Sequence, residues 1–242
     1  MKIFDINFKH WNKFEKVWLI VFLVIILMAT VYFSYSGTDY NKIESILLNW
    51  VISPLSAISG IFCVVLAAKG KISNWVYGIV NSVLYGYLAF HSGYYGDAII
   101  NIAYFLPTQF VGLLFWKRRL KKGSKEDVRM RKLTPKQVVY TITLGLIVTV
   151  IFGLFLHNVD NWFTEVMKRN ISIYNYFINA FGAGATLTGP ILDSATEVTQ
   201  ILAQIFMVLA FAEQWIFWII TNIITIVMWT IVIRSEEHTS EL

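Results

Sequence analysis

Residues Val17–Thr38 read VWLIVFLVIILMATVYFSYSGT, with no Asp, Glu, Lys, Arg or His anywhere in the run. A helix that crosses a bilayer needs about 20 mostly apolar residues. The run follows basic residues, but it is long and carries no small-residue cleavage site, so it reads as a retained membrane anchor rather than a removed signal peptide. Five further spans are likewise free of acidic residues, Lys and Arg: Leu47–Ala68, Ile72–His91, Ala98–Trp116, Gln137–Leu156 and Gln214–Ile233. A seventh, Ile191–Ala212, differs in holding Asp193 and Glu197 near its start. Composition agrees. Apolar residues make up 57% and charged residues 14%, against about 25% charged in soluble domains. A soluble enzyme domain, a disordered chain and a collagen-like repeat are excluded. The class is an all-α polytopic membrane protein.

Loop charges orient the chain. Segment 117–136 contains ten Lys/Arg, and segment 1–16 adds Lys2, Lys9, Lys13 and Lys16. The tight turn after the second span adds Lys69 and Lys71. If every span crosses once, these sixteen cations fall on one side, against Lys42, Lys168 and Arg169 on the other. Positive-inside bias places the N-terminus in the cytoplasm, in a cell membrane. The basic loop is accounted for by topology and calls for no nucleic-acid partner. Leu133-Thr134-Pro135 predicts a helix start with Thr134 as N-cap. Segment 157–190 reads as a long outer loop with a short interfacial helix around Trp162–Met167.

The last nine residues, RSEEHTSEL at 234–242, match codon for codon the translation of a common sequencing-adapter read, AGA TCG GAA GAG CAC ACG TCT GAA CTC. They are set aside as a non-native tail. Without them the net charge rises from +5 to +7, and the natural chain is expected to continue past Ile233.

Polar residues inside the spans carry the functional signal. Asp193, Glu197, Gln200 and Gln204 recur at helical spacing and share one face. A stripe of long polar groups in a span implies a water-filled path or polar partners on neighbouring helices. The third span places Asn74, Asn81 and Tyr85 on one face, flanked by Trp75 and Tyr77. The fourth does the same with Asp97, Asn101, Tyr104 and Thr108, and Pro107 is expected to kink it and free a backbone carbonyl. The last span aligns Trp215, Trp218, Asn222, Thr225 and Trp229. Trp215 reads as an interfacial belt residue, whereas Trp218 and Asn222 sit deeper. Single residues have plainer readings as well: Cys63, the one cysteine, is a small buried filler, and polar stripes also serve as interhelical hydrogen-bond networks. No two histidines have ligand spacing, so neither a metal nor a cofactor is expected.

Together these faces describe flat aromatic walls, amide donors and acceptors, and a few carboxylates. Nothing among them is basic, which disfavours phosphorylated ligands. The chemistry suits a small aromatic solute, neutral to cationic. A weak internal repeat at an offset of 140 pairs Ser56/Thr196, Ser59/Thr199, Asn74/Gln214, Trp75/Trp215 and Ile79/Ile219. Parallel repeats are a transporter architecture, with the site at the repeat interface.

The stretch Ala67-Ala68-Lys69-Gly70-Lys71-Ile72-Ser73-Asn74-Trp75, with Asn81 and Tyr85-Gly86-Tyr87, resembles the PnuC family of nicotinamide riboside transporters. So do Gly93-Tyr94-Tyr95-Gly96-Asp97 with Asn101, Tyr104 and Pro107-Thr108-Gln109 and, more loosely, the Asp193 helix with Gln204 and the Trp215-x-x-Trp218 pair followed by Asn222. The resemblance covers about residues 45–233. It implies a SWEET-like fold of two parallel three-helix repeats joined by a linker helix. The N-terminal segment 1–46 would carry an extra helix, and 47–116 would be the first repeat. Residues 117–156 would be the basic loop and linker helix, 157–190 the outer loop, and 191–233 a partial second repeat lacking its final helix. It further implies a homotrimer that passes nicotinamide riboside by facilitated diffusion for NAD biosynthesis, with Trp218 stacking on the nicotinamide ring. Asn81, Asn101, Gln200 and Asn222 would be its hydrogen-bond partners. Tyr85, Tyr104, Asp193, Glu197 and Trp215 complete the candidate substrate-binding set. The alternatives are transport of a related vitamin, thiamine or riboflavin, and a proton-coupled carrier of a small aromatic solute. An intramembrane enzyme lacks a catalytic pair, and a membrane scaffold would not need three polar faces.

Overall fold

The structure is a computed structural model and describes residues 11–92, 95–123, 127–158 and 187–240. The expected interfacial helix around Trp162–Met167 lies outside the described residues. Among the described residues every element of any length is helical. They are α1 (Lys13–Gly37), α2 (Ile43–Ala68), α3 (Asn74–His91), then α4, which runs from Tyr95–Ile99 through Ile100–Phe105 to Leu106–Gly123. Then follow α5 (Pro135–Asn158), α6 (Thr188–Leu209) and α7 (Gln214–Ser240). One helix thus stands on each of the seven predicted spans. α1, α2, α4, α5 and α6 are long and apolar enough to cross a membrane, and α7 contributes the shorter apolar stretch Gln214–Met228. The protein is a multi-pass membrane protein. The chain divides into two compact units, Met1–Arg129 and Met130–Leu242.

In the first unit, α2 packs along α3, α3 along α4, and α1 along α2. α1 starts in a reciprocal cap: Glu15 N–H donates to Asn12 Oδ1 at 2.8 Å, and Asn12 N–H donates to Glu15 Oε2 at 2.9 Å. This satisfies two of the amides that a helix start leaves without partners. The same Glu15 pairs with Lys69.

Two π-turns interrupt otherwise regular helices, at Leu48–Ile52 in α2 and Ile100–Phe105 in α4. Each ends two residues before a proline, Pro54 and Pro107. Proline has no N–H, and its ring collides with the carbonyl four residues back, so the ladder widens ahead of it. Ser53 N–H reaches back to the Leu48 carbonyl and Leu106 N–H to that of Asn101, five residues in each case. The Asn49 carbonyl, which the Ser53 N–H would have bonded in an α-helix, is taken up by the Ser34 hydroxyl of α1 at 2.6 Å. The kink expected at Pro107 therefore takes the form of an inserted residue.

Helix contacts in this unit run through glycine. A Cβ built on Gly112 would fall on the Trp75 indole, and one on Gly78 would fall on the Gln109 amide. Small residues let membrane helices approach closely where no hydrophobic effect drives them together.

In the second unit α6 packs against both α5 and α7. Thr134 caps α5, as the sequence predicts, and Gln137 makes the cap reciprocal: Thr134 N–H donates to Gln137 Oε1 at 2.9 Å, and Gln137 N–H to Thr134 Oγ1 at 3.4 Å. Gly145, Thr149 and Gly153 lie at four-residue spacing on α5. Gly145 meets Leu202, Gly153 meets Ile191, and the fully buried Ser194 donates to the Thr149 carbonyl at 2.8 Å.

The α2–α3 and α6–α7 turns are built alike. Lys71 N–H donates to the Leu66 carbonyl at 2.9 Å, and 140 positions later Phe211 N–H donates to that of Phe206 at 2.8 Å. Gly70 and Ala210 both take positive φ, 68° and 56°. The first turns of the following helices repeat the same donors and acceptors, from Asn74 N–H on Lys71 to Tyr77 N–H on Ser73, and from Gln214 N–H on Phe211 to Phe217 N–H on Glu213.

Candidate functional site

In the first unit, Asn81 on α3 is half-buried. It spends its amide N–H on α2, donating to the Ser56 carbonyl at 2.8 Å with the Ser56 hydroxyl at 3.4 Å. Its amide also seats against Gly60. Tyr85, one turn on, is exposed. Asn74, placed by spacing on the same face, belongs instead to the turn: it is fully buried and donates to the Lys71 carbonyl. Trp75 is fully buried too, edge-on to Trp116 with ring centroids 5.3 Å apart.

On α4 the inserted residue changes which groups share a face. The spacing predicts one face for Asp97, Asn101, Tyr104 and Thr108. The buried row is instead Asn101, Phe105, Gln109, Gly112, Trp116 and Leu120. A π-turn advances the chain by one residue without advancing the face, so α-helical arithmetic fails across it. Asn101 is buried and donates to the Asp97 carbonyl at 2.8 Å. Tyr104 is half-buried, and Thr108 turns its hydroxyl back onto the Phe105 carbonyl at 2.8 Å. Gln109 is the buried polar group that the spacing missed. Its side chain lies over Gly78, and that glycine, opposite a glutamine, was the available signal.

In the second unit α6 is unbroken, so Asp193, Glu197, Gln200 and Gln204 do share a face. The first three are half-buried and Gln204 is fully buried; one carboxylate oxygen of Glu197 is shut off from solvent. On α7, Trp215 and Trp218 are half-buried, whereas Asn222 is exposed. The buried polar neighbour is Thr221, whose hydroxyl meets that of Thr199 at 2.7 Å. Asn222 was expected deep on the Trp218 face; one residue of rotation puts Thr221 in the packed position. The 140 offset could have exposed this, since it pairs Thr221 with Asn81, and each bonds to the preceding helix within one turn of the other's counterpart: Asn81 to Ser56, and Thr221 to Thr199, which pairs with Ser59.

Each unit therefore presents amides, hydroxyls and aromatic rings on its helices, and the second adds two carboxylates. Among the described residues all Lys and Arg lie at helix ends or in the segments joining them. Such surfaces can hydrogen-bond and stack on a polar aromatic solute, but they offer no cation for a buried phosphate. The family model described as nicotinamide mononucleotide transporter matches residues 50–238. The chain belongs to this transporter family, whose relatives carry the name PnuC. A relative from Neisseria mucosa named nicotinamide riboside transporter PnuC is 30% identical over 96% of this chain and 74% of its own length. One of the same name from Haemophilus influenzae is 31% identical over 90% of this chain and 80% of its own. Among solved structures, the crystal structure of the vitamin B3 transporter PnuC matches with a TM-score of 0.61 and 29% identity, covering 91% of this chain and 78% of that one. This chain is accordingly a membrane transporter and not an enzyme.

Proposed function

We infer that the chain carries nicotinamide riboside across the cell membrane by facilitated diffusion, supplying NAD biosynthesis. The observation that carries this reading is 30% identity, over nearly the whole chain, to a transporter named for that solute. The family model's name points to the mononucleotide instead. The riboside is favoured because a phosphate dianion would need a cation inside the spans, and every Lys and Arg stands at their ends. The same relatives favour the riboside over thiamine or riboflavin.

Recognition is assigned to Asn81, Tyr85, Asn101 and Tyr104 in the first unit and to Asp193, Glu197, Gln200, Trp215, Trp218 and Asn222 in the second. Trp218 supplies the flat wall for the nicotinamide ring. The repeated turn at an offset of 140 supports two parallel repeats, α2–α4 and α6–α7, joined by α5, with α1 as an extra leading helix in a SWEET-like plan. The basic segments support a cytoplasmic N-terminus. The assembly is proposed to be a homotrimer in contact with membrane lipid.

Uptake of labelled nicotinamide riboside into liposomes holding the full-length natural chain tests this. Unlabelled riboside should compete, whereas mononucleotide, thiamine and riboflavin should not. Trp218→Ala should weaken binding roughly five- to a hundredfold, the loss of about 1–3 kcal/mol of stacking, and Trp218→Phe should do less harm. Uptake that is absent, or equal competition by the mononucleotide, overturns the reading.

A further inference from the structure

We propose that the basic end of the first unit is a binding surface for an anionic phospholipid, with its phosphate on Arg118, Lys121 and Arg129 and an acyl chain along Val111, Leu114 and Phe115. Two of the cations at this end are already engaged. Lys69 is paired with Glu15, and Lys71 with Asp127 at 2.7 Å. Arg118, Lys121 and Arg129 are exposed, and none is paired with a carboxylate among the described residues. Arg118 and Lys121 are three residues apart and adjacent on the helix surface. The chain returns to this end after α4, because Val128, buried, donates its N–H to the Gly70 carbonyl at 2.9 Å. That bond fixes the backbone next to Arg129.

The second observation is the surface leading to these cations. Val111, Leu114 and Phe115 are all exposed, and with Arg118 they follow one another at three- and four-residue spacing down a single face of α4. An apolar strip ending in guanidinium and ammonium groups at the end of a spanning helix complements a lipid: hydrocarbon along the strip, phosphate at the cations. The other end of the unit, with Asp39, Glu44 and Asp97 beside Lys42, has no such charge.

The full chain, purified in a neutral detergent, tests the assignment through its thermal midpoint on titration with phosphatidylglycerol. The midpoint should rise with phosphatidylglycerol and not with phosphatidylcholine. Inorganic phosphate and glycerol phosphate, which lack the hydrocarbon, should leave it in place. The triple variant Arg118→Gln/Lys121→Gln/Arg129→Gln should keep the starting midpoint and bind phosphatidylglycerol on the order of a hundredfold more weakly, about fivefold for each cation. The charge-preserving variant Arg118→Lys/Lys121→Arg/Arg129→Lys should retain the rise, as should Lys42→Gln at the opposite end. Equal rises with phosphatidylcholine, an equal response to the soluble phosphates, or an unchanged response in the triple variant would each overturn the assignment.

Discussion

The α2–α3 turn and the α6–α7 turn share a backbone and little else. In the first, a glycine holds the positive φ, the following indole is fully buried, and an ion pair, Lys71–Asp127, fastens the incoming segment. In the second an alanine holds the same φ and the following indole is half-buried. There the backbone bond from Arg131 N–H to the Ala210 carbonyl, at 2.8 Å, matches that from Val128 to Gly70, but it is backed by a guanidinium 4.7 Å from the Phe211 ring in place of an ion pair. Backbone hydrogen bonds are set by the need to satisfy every amide near a membrane boundary. Side chains only have to fit what surrounds each copy. The comparison separates what the turn needs from what each copy happens to use.

The sharpest test is the pair of tryptophans. Trp75→Ala empties a fully enclosed site against Gly112 and Trp116, and should cost about 3–5 kcal/mol, read as loss of folded protein or a large fall in thermal midpoint. Trp215→Ala should cost clearly less. Equal losses would mean that the two indoles do the same structural job despite their different burial.

Next come the two positive-φ residues. At Gly70 a Cβ would strike the Val128 carbonyl, so Gly70→Ala adds a clash to backbone strain and should destabilise by about 2–4 kcal/mol. Ala210→Gly removes strain already present and should be neutral or stabilise by up to about 1 kcal/mol. Opposite signs in paired thermal melts are the expected result; a gain from Gly70→Ala would refute the account of that turn.

The smallest effects belong to the fastenings. Asp127→Asn should cost about 0.2–1 kcal/mol, because its partner pair is partly solvated, and the loss should shrink in high salt. Arg131→Ala should cost about 0.5–1 kcal/mol through its ring contact, with weaker salt dependence. Melts at low and high ionic strength distinguish them.

The spans were legible because a bilayer leaves its mark on every residue of a window about 20 long. The α5 start was legible because Thr134 and Pro135 act within one turn. The faces were legible only where the helix stayed regular: the Asp193 stripe survives on the unbroken α6, whereas the α4 face shifts after Asn101. That shift depends on Pro107 acting through a widened turn, which a fixed angle per residue does not contain. Gln109 was hidden for this reason, and Asn222 because a position one residue from a buried one differs from it only through its neighbours. The positive φ of Ala210 left no trace in composition, since alanine is ordinarily a helix former.

The two π-turns also bear on how chain length can vary in this family. Each holds one residue more than an α-helix would need between the same flanks. A homologue one residue shorter between Ile99 and Leu106, or between Leu47 and Ser53, can close the turn into ordinary helix and keep both flanks facing as they do here. A deletion of the same size in α6 would rotate Asp193 by about 100° relative to Gln204. Single-residue gaps among relatives should therefore gather just ahead of Pro54 and Pro107 and be absent from the α6 stripe.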